Sequence, residues 1–142
     1  MQHTQLALPA RIFAAACAIA LSSGLASAQE VHVALSGAEE TPPVTTAASG
    51  SGTIKIADDK SVSGSVKTSG IAGVAAHIHV APKGQAGPPI ITLEKNADGV
   101  WSVPASAKLT DEQYASFKAG NLYVNVHSTD HKPGEIRAQL AP

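Results

Sequence analysis

The sequence predicts an all-β protein: an antiparallel, Greek-key-like β-sandwich of about eight short strands with one short helix. Three observations support this fold class. Short runs alternate apolar and polar residues, so that one face of each strand would be buried and the other would not. Turn-forming Gly, Pro, Asp and Asn residues separate these runs at regular intervals, as in a sandwich or barrel. A convincing capping motif for a helix occurs once, at Thr110.

The N-terminal segment has the features of a secretory signal peptide. Arg11 is followed by an apolar run from Ile12 to Leu21 and then by the small residues Ala26-Ser27-Ala28, which match an A-x-A cleavage site. We therefore expect residues 1–28 to be removed and residues 29–142 to form one domain. Such a protein would be exported, to the periplasm or to the outside of the cell.

Neither a membrane span nor a lipid anchor is expected after signal cleavage. A spanning helix needs about 20 apolar residues, roughly twice the length of the run in the signal peptide. The single cysteine, Cys17, lies within this segment, and Ala14 stands three residues before it, where a lipoprotein signal prefers leucine. The mature chain would contain no cysteine, so a hydrophobic core alone must stabilise it.

Charge and composition argue against a nucleic-acid partner. The chain has 10 basic and 11 acidic side chains and a formal net charge of −1. It contains no basic run and no aromatic residues interleaved with basic ones, which are the usual features of a surface that follows a phosphate backbone. The partners that remain open are an unidentified protein or a metal ion.

The first half of the mature chain predicts three strands. Val31–Leu35 alternates cleanly, with its apolar residues directed inward. Gly52–Ala57 and Ser61–Lys67 also alternate, and the turn residues Asp58-Asp59-Lys60 between them favour a hairpin. Glu39–Val44 contains two prolines, which cannot donate to a sheet ladder, and is expected to be a surface loop or an edge.

The middle of the chain adds one strand, a long loop and a second pair of strands. Ala76–Val80 alternates polar and apolar residues, and Ala81–Pro89 is rich in Pro and Gly, which predicts an irregular loop. Ile90–Leu93 and Val100–Val103 are expected to be strands on either side of a turn at Asn96–Gly99.

The C-terminal part predicts the helix and the last two strands. Thr110 is a good N-cap, Gln113 can complete a capping box, and Gly120 can end the helix. Leu122–His127 and Glu135–Leu140 alternate again and should be strands that bury one face each.

Polar side chains form a row on three of these predicted strands. Its members are His77 and His79 on one strand, Asn125 and His127 on another, and Glu135 and Arg137 on the last. Two histidines at i and i+2 lie roughly 7 Å apart on one face, near enough for both to reach one ion. His127 would complete a three-nitrogen site suited to copper or zinc. Glu135 could be a further ligand or could orient a histidine ring.

A structural role for the same row stays open. Histidines and Asn125 opposite Glu135 and Arg137 could form a hydrogen-bonded layer that fixes the strand register, half covered by the Pro82–Pro89 loop. Such a layer would need all its members satisfied and would need no metal.

Catalytic chemistry has little support in the sequence. No serine lies in a nucleophile elbow, and no Ser-His-Asp arrangement stands out. The paired acids at 39–40, 58–59 and 111–112 are adjacent, so in a strand the two members of a pair would point to opposite faces. We therefore expect no enzyme activity and no catalytic residues.

Taken together, the motifs resemble those of the chordin-type domain family, CHRD. The matching residues are Leu35-Ser36-Gly37, Glu40-Thr41-Pro42-Pro43-Val44, Gly50, Gly52, Ala75-Ala76-His77-Ile78-His79, Gly84, Gly87, Pro88, Leu109-Thr110, Gly120, Leu122 to His127 and Gly134 to Leu140. The resemblance covers nearly all of the mature chain. It implies an exported or extracellular β-rich domain, found alone in bacteria and repeated in animal chordins, without established catalytic residues.

The strand with two histidines, the later histidine and the later arginine are also similar in outline to the copper site of copper-zinc superoxide dismutases. That family needs a bridging histidine, a zinc-binding aspartate and a disulfide. The disulfide is impossible in the mature chain, and His32 and His131 lie in the wrong sequence context to be the bridging histidine. Dismutase activity is thus disfavoured. Two functions remain: a non-catalytic binding or structural module, and a periplasmic copper- or zinc-binding protein that uses His77, His79 and His127.

Overall fold

The structure is a computed structural model that describes residues 27–142. Most of the expected signal peptide and Cys17 therefore lie outside the described residues. The strands are β1 Ala28–Ser36, β2 Ser49–Ala57, β3 Val62–Ser69, β4 Gly73–Val80, β5 Pro89–Thr92, β6 Glu94–Ala97, β7 Val100–Ser102, β8 Leu122–Ser128 and β9 Ile136–Leu140. A short 3-10 helix, Gly37–Glu39, follows β1, and helix α1, Asp111–Lys118, precedes β8.

The nine strands form one nearly closed antiparallel sheet in the order β5-β4-β8-β9-β1-β2-β3-β7-β6. This confirms the all-β fold class and, within residues 27–142, the one short α-helix. β1 pairs with β2 along its whole length, and β8 lies between β4 and β9. β9 meets β1 at the pair Ser36 and Arg137, which joins the two halves of the sheet. Within residues 27–142, no helix has both the length and the apolar character that a membrane span requires.

The core is built from the inward faces that the alternation predicts. Val31, Val33 and Leu35 of β1 are buried, as are Ile78 of β4 and Val124 of β8. In α1 the capping box is present, because the Gln113 amide donates to Thr110 Oγ1 and the Thr110 amide donates to Gln113 Oε1. Phe117 of this helix is fully buried in the same core.

The structure differs from the sequence prediction in the region of β5, β6 and β7. Residues expected to belong to a turn, Asn96 and Ala97, instead end the additional strand β6. The described part of the chain therefore has nine strands rather than about eight. β6 and β7 pair with each other, whereas β5 pairs with β4 and lies at the opposite edge of the sheet. Alternation does not reveal β6, because all four of its residues are exposed.

Candidate metal centre

Strands β4 and β8 are neighbours, and their register brings the polar side chains together. His77 lies opposite Asn125, His79 lies opposite Tyr123, and Ala75 lies opposite His127. Directly paired residues of an antiparallel ladder point to the same face of the sheet. The three histidines, Asn125 and Tyr123 therefore share the face that is directed away from the core.

The three imidazoles form a compact group. His77 Nδ1 and His127 Nε2 are 2.9 Å apart, and one ring nitrogen from each of His77, His79 and His127 lies within 4.8 Å of the others. Two nitrogens bound at right angles to one ion, each at about 2.0 to 2.1 Å, would be about 2.9 Å apart. The His77 and His127 nitrogens already have the spacing of two neighbouring ligands.

Backbone carbonyls orient two of the rings. His127 Nδ1 donates to Lys132 O at 2.8 Å, and His79 Nδ1 donates to Gly87 O at 2.8 Å. A carbonyl only accepts, so Nδ1 carries the proton in both rings and the Nε2 atoms keep their lone pairs. This arrangement, with Nδ1–H on a backbone carbonyl, is the one that commonly fixes a metal-binding histidine.

The Nε2 atom of His79 is buried and has no hydrogen-bond partner among the described residues. Burial lowers the pKa of His79, an effect only partly offset by the Gly87 carbonyl and the Asn125 amide. Burial and the neighbouring His127 and His79 lower the pKa of His77 as well. The neutral imidazole, which is the form that binds metals, is therefore favoured at both positions.

His79, Tyr123 and Arg137 pack against one another. The His79 ring is nearly parallel to the Tyr123 ring, with centroids 4.7 Å apart. The Arg137 guanidinium also lies over the Tyr123 ring, with its Cζ atom 3.5 Å from the ring centroid. Arg137 donates to Gln85 O at 2.7 Å and to Pro82 O at 3.3 Å. Arg137 thus connects the sheet to the Pro82–Pro89 segment. This segment is named the covering loop.

The expected polar row is only partly assembled. Asn125 and Arg137 lie with the histidines, but both are buried, 1% exposed, rather than displayed to solvent. Glu135 lies elsewhere, because it precedes β9 and accepts a 2.6 Å hydrogen bond from Thr46 Oγ1. Instead Glu40, from the 3-10 helix end, is buried against Asn125, and burial raises the pKa of its carboxyl group.

Glu40 and Tyr123 are site residues that the sequence pattern did not single out. Glu40 comes from a Pro-rich segment without periodicity, and its one signal is its place in the motif Glu40-Thr41-Pro42-Pro43-Val44. Tyr123 lies in the alternating run Leu122–His127, and alternation indicates the face of a side chain but not its contacts. His32, by contrast, is exposed and bonds Thr53, so it lies outside the cluster.

An open pocket leads to the cluster from one side. It has a volume of about 410 Å³ and is lined mainly by apolar surface. The lining residues are Val74, Ala75, His77, His127, Ser128, Thr129 and Lys132. Val74 is 60% exposed, which is unusual for a large apolar side chain in this domain.

The fold and the cluster define an all-β domain with three histidines gathered on one sheet face. A family model, the CHRD domain, matches residues 31–140. The chain therefore belongs to the CHRD domain family, as the motif resemblance indicated. A search of curated proteins and a search of solved structures each gave no match.

Proposed function

We propose that this CHRD domain is an exported metal-binding module that holds a copper or zinc ion through His77, His79 and His127. The observation that carries the proposal is the buried Nε2 atom of His79, which lies beside two other imidazoles and has no hydrogen-bond partner within residues 27–142. A buried acceptor without a partner costs about 1 to 3 kcal/mol, and an ion would remove that cost. Export is proposed from the signal-like residues 1–28.

The donor set supports copper or zinc over calcium or magnesium. Imidazole nitrogen suits copper and zinc, whereas the hard alkaline-earth ions take oxygen ligands. The nitrogens lie up to 4.8 Å apart, while opposite ligands of one ion are separated by about 4 Å. Ring movements would have to shorten the distance by about 0.7 Å for two opposite ligands, or by about 1.5 Å for a tetrahedral zinc site, in which the nitrogens are about 3.3 Å apart. The pocket that borders His77 and His127 gives the ion a path from solvent.

The experiment is a competition titration of the mature protein with zinc and with copper against a chromophoric chelator. We expect a dissociation constant below micromolar for the wild type. His79→Ala and His127→Ala should each weaken binding at least about 100-fold, because each removes a ligand. His32→Ala is the matched control, since His32 is exposed and outside the cluster.

The metal proposal fails if the wild type binds neither ion more tightly than micromolar, or if the His79→Ala and His127→Ala variants bind as the wild type does.

The second candidate is a non-catalytic binding or structural module without an ion. The direct hydrogen bond between His77 and His127 favours it, because this bond forms without any metal. In that case the thermal stability and any partner binding of the protein would be unchanged by a strong chelator. Neither candidate includes a catalysed reaction.

A further inference from the structure

Asn125 is a direct neighbour of the three histidines on the same face of the sheet. In the ladder it is directly opposite His77, and on β8 it lies two residues from His127 and two from Tyr123. Its side chain is 1% exposed. Any ion held by the histidines would therefore be close to the Asn125 amide.

Two acceptors determine the orientation of that amide. The Nδ2 atom of Asn125 donates to Glu40 Oε1 and to Pro133 O, each at 3.4 Å. The reverse orientation would place Oδ1 against the Pro133 carbonyl, and two acceptors repel each other. The Oδ1 atom is thus left at the opposite end of the amide.

Asn125 Oδ1 and His79 Nε2 are both acceptors without a partner among the described residues. Both atoms are closed to solvent, and the Asn125 side chain lies near enough to His79 to raise the pKa of its ring in part. Neither can donate while Nδ1 carries the proton of the neutral His79 ring, so the lone pairs of both atoms are left uncompensated. A bare cation between them would satisfy both.

We propose that Asn125 Oδ1 is the fourth protein ligand of the ion, which gives a donor set of three nitrogens and one oxygen. The inference rests on the proposed function and makes it more specific. An amide oxygen is a harder donor than imidazole, so it favours a divalent ion, Zn²⁺ or Cu²⁺, over Cu⁺. Glu40 and Pro133 are positioning groups, because they hold the amide with its oxygen directed at the ion.

The first measurement is the ¹³Cγ chemical shift of the Asn125 side chain in the metal-free protein and after addition of one equivalent of Zn²⁺. Coordination through Oδ1 should shift this resonance, whereas the Asn96 side chain, exposed on β6, should not respond. An unchanged Asn125 resonance in protein that has bound Zn²⁺ overturns the proposal. This outcome leaves the three-histidine site in place.

The second measurement compares affinities. Asn125→Ala should weaken Zn²⁺ binding at least about tenfold and Cu⁺ binding by a smaller factor, while the control Asn96→Ala should change neither. Equal losses for both ions would show that Asn125 acts only through the packing of the site and would overturn the proposal. If Asn125→Ala does not fold, as judged by circular dichroism, the chemical-shift result decides. A wild type that binds no metal removes the proposed function and the fourth ligand together.

Discussion

Arg137 is the most deeply buried of the charged side chains in residues 27–142, at 1% exposure. Among the described residues, no carboxylate forms an ion pair with its guanidinium. Its charge is instead distributed over the carbonyls of Pro82 and Gln85, the amide oxygen of Gln139 and the face of Tyr123. A planar guanidinium can contact these groups together, whereas an ammonium group cannot. One residue thus connects β9, the covering loop and the His79 stack.

We expect Arg137→Leu to lower the free energy of unfolding by about 2 to 4 kcal/mol, because it leaves buried carbonyl groups without a donor. Urea unfolding followed by tryptophan fluorescence measures this change. Lys67→Leu, at an exposed position on β3, is the control and should stay within about 0.5 kcal/mol of the wild type. An Arg137→Leu variant as stable as the control would mean that water replaces the guanidinium.

A second prediction at this scale concerns pH and Glu40. Burial raises the pKa of Glu40 above its ordinary value of 4.5. Between 4.5 and the raised pKa the folded state binds more protons than the unfolded state, so this residue makes the fold less stable as pH rises. We therefore expect the stability of the Glu40→Gln variant, relative to that of the wild type, to increase as the pH rises from 4 to 7. Denaturant unfolding at the two pH values gives the difference, and a pH-independent difference would contradict the assignment.

The faces of individual residues could be predicted from the sequence, but their positions along the sheet could not. Alternation placed His77, His79, Asn125 and His127 on one face, and the register of β4 and β8 agrees. Alternation also predicts Glu135 in that row. A two-residue alternation of polar and apolar side chains does not show where a strand begins, however. Glu135 lies just before β9 and turns to Thr46.

At the scale of elements, the covering loop is the part that the sequence described least well. Its Pro and Gly content predicted an irregular loop but not which of its carbonyls would meet a histidine. Gly87 O accepts from His79, and the Gly87 amide donates to the Tyr123 hydroxyl at 3.2 Å. A side chain at Gly87 would collide with the carbonyl of Val80, so glycine is needed for this close approach.

We expect Gly87→Ala to displace the loop from His79 and to weaken Zn²⁺ binding about tenfold or more, because the ring loses the carbonyl that orients it. Gly84→Ala is the matched control in the same loop. A Cβ at Gly84 meets no atom within 4 Å, although its φ of +80° disfavours alanine. The control should therefore lose about 1 kcal/mol of stability and keep its affinity. Equal affinities for the two variants would show that the carbonyl is unimportant.

At the scale of the whole molecule, the sheet order joins strands that are distant in the sequence. β4 and β8 are neighbours in the sheet, and the hydrogen-bonded pair His77 and His127 is 50 residues apart. Local patterns predict strands but not such pairings, which depend on the packing of the entire chain. The sequence alone therefore does not determine whether the three histidines lie together. Their separation along the chain also means that the complete cluster exists only in the folded domain.

Because the cluster exists only in the folded state, zinc should stabilise the protein. At a free concentration 100 times the dissociation constant, the gain is about 2.7 kcal/mol, which corresponds to a rise of roughly 10 °C or more for a domain of this size. Differential scanning calorimetry with and without Zn²⁺ measures the shift. The His79→Ala variant should show little or none. A shift of equal size in that variant would place the stabilising ion somewhere else.

The 50-residue separation between His77 and His127 matters for the proposed export, because small exported domains are often cross-linked by disulfides. With Cys17 as its single cysteine, this chain cannot form an internal one. A bound ion would cross-link β4 and β8. A disulfide that closed a loop of this length would raise the free energy of unfolding by about 4 kcal/mol. Unlike that disulfide, the metal cross-link would open when the ion leaves. The stability of the domain would then depend on the concentration of metal around it and not on the presence of an oxidant.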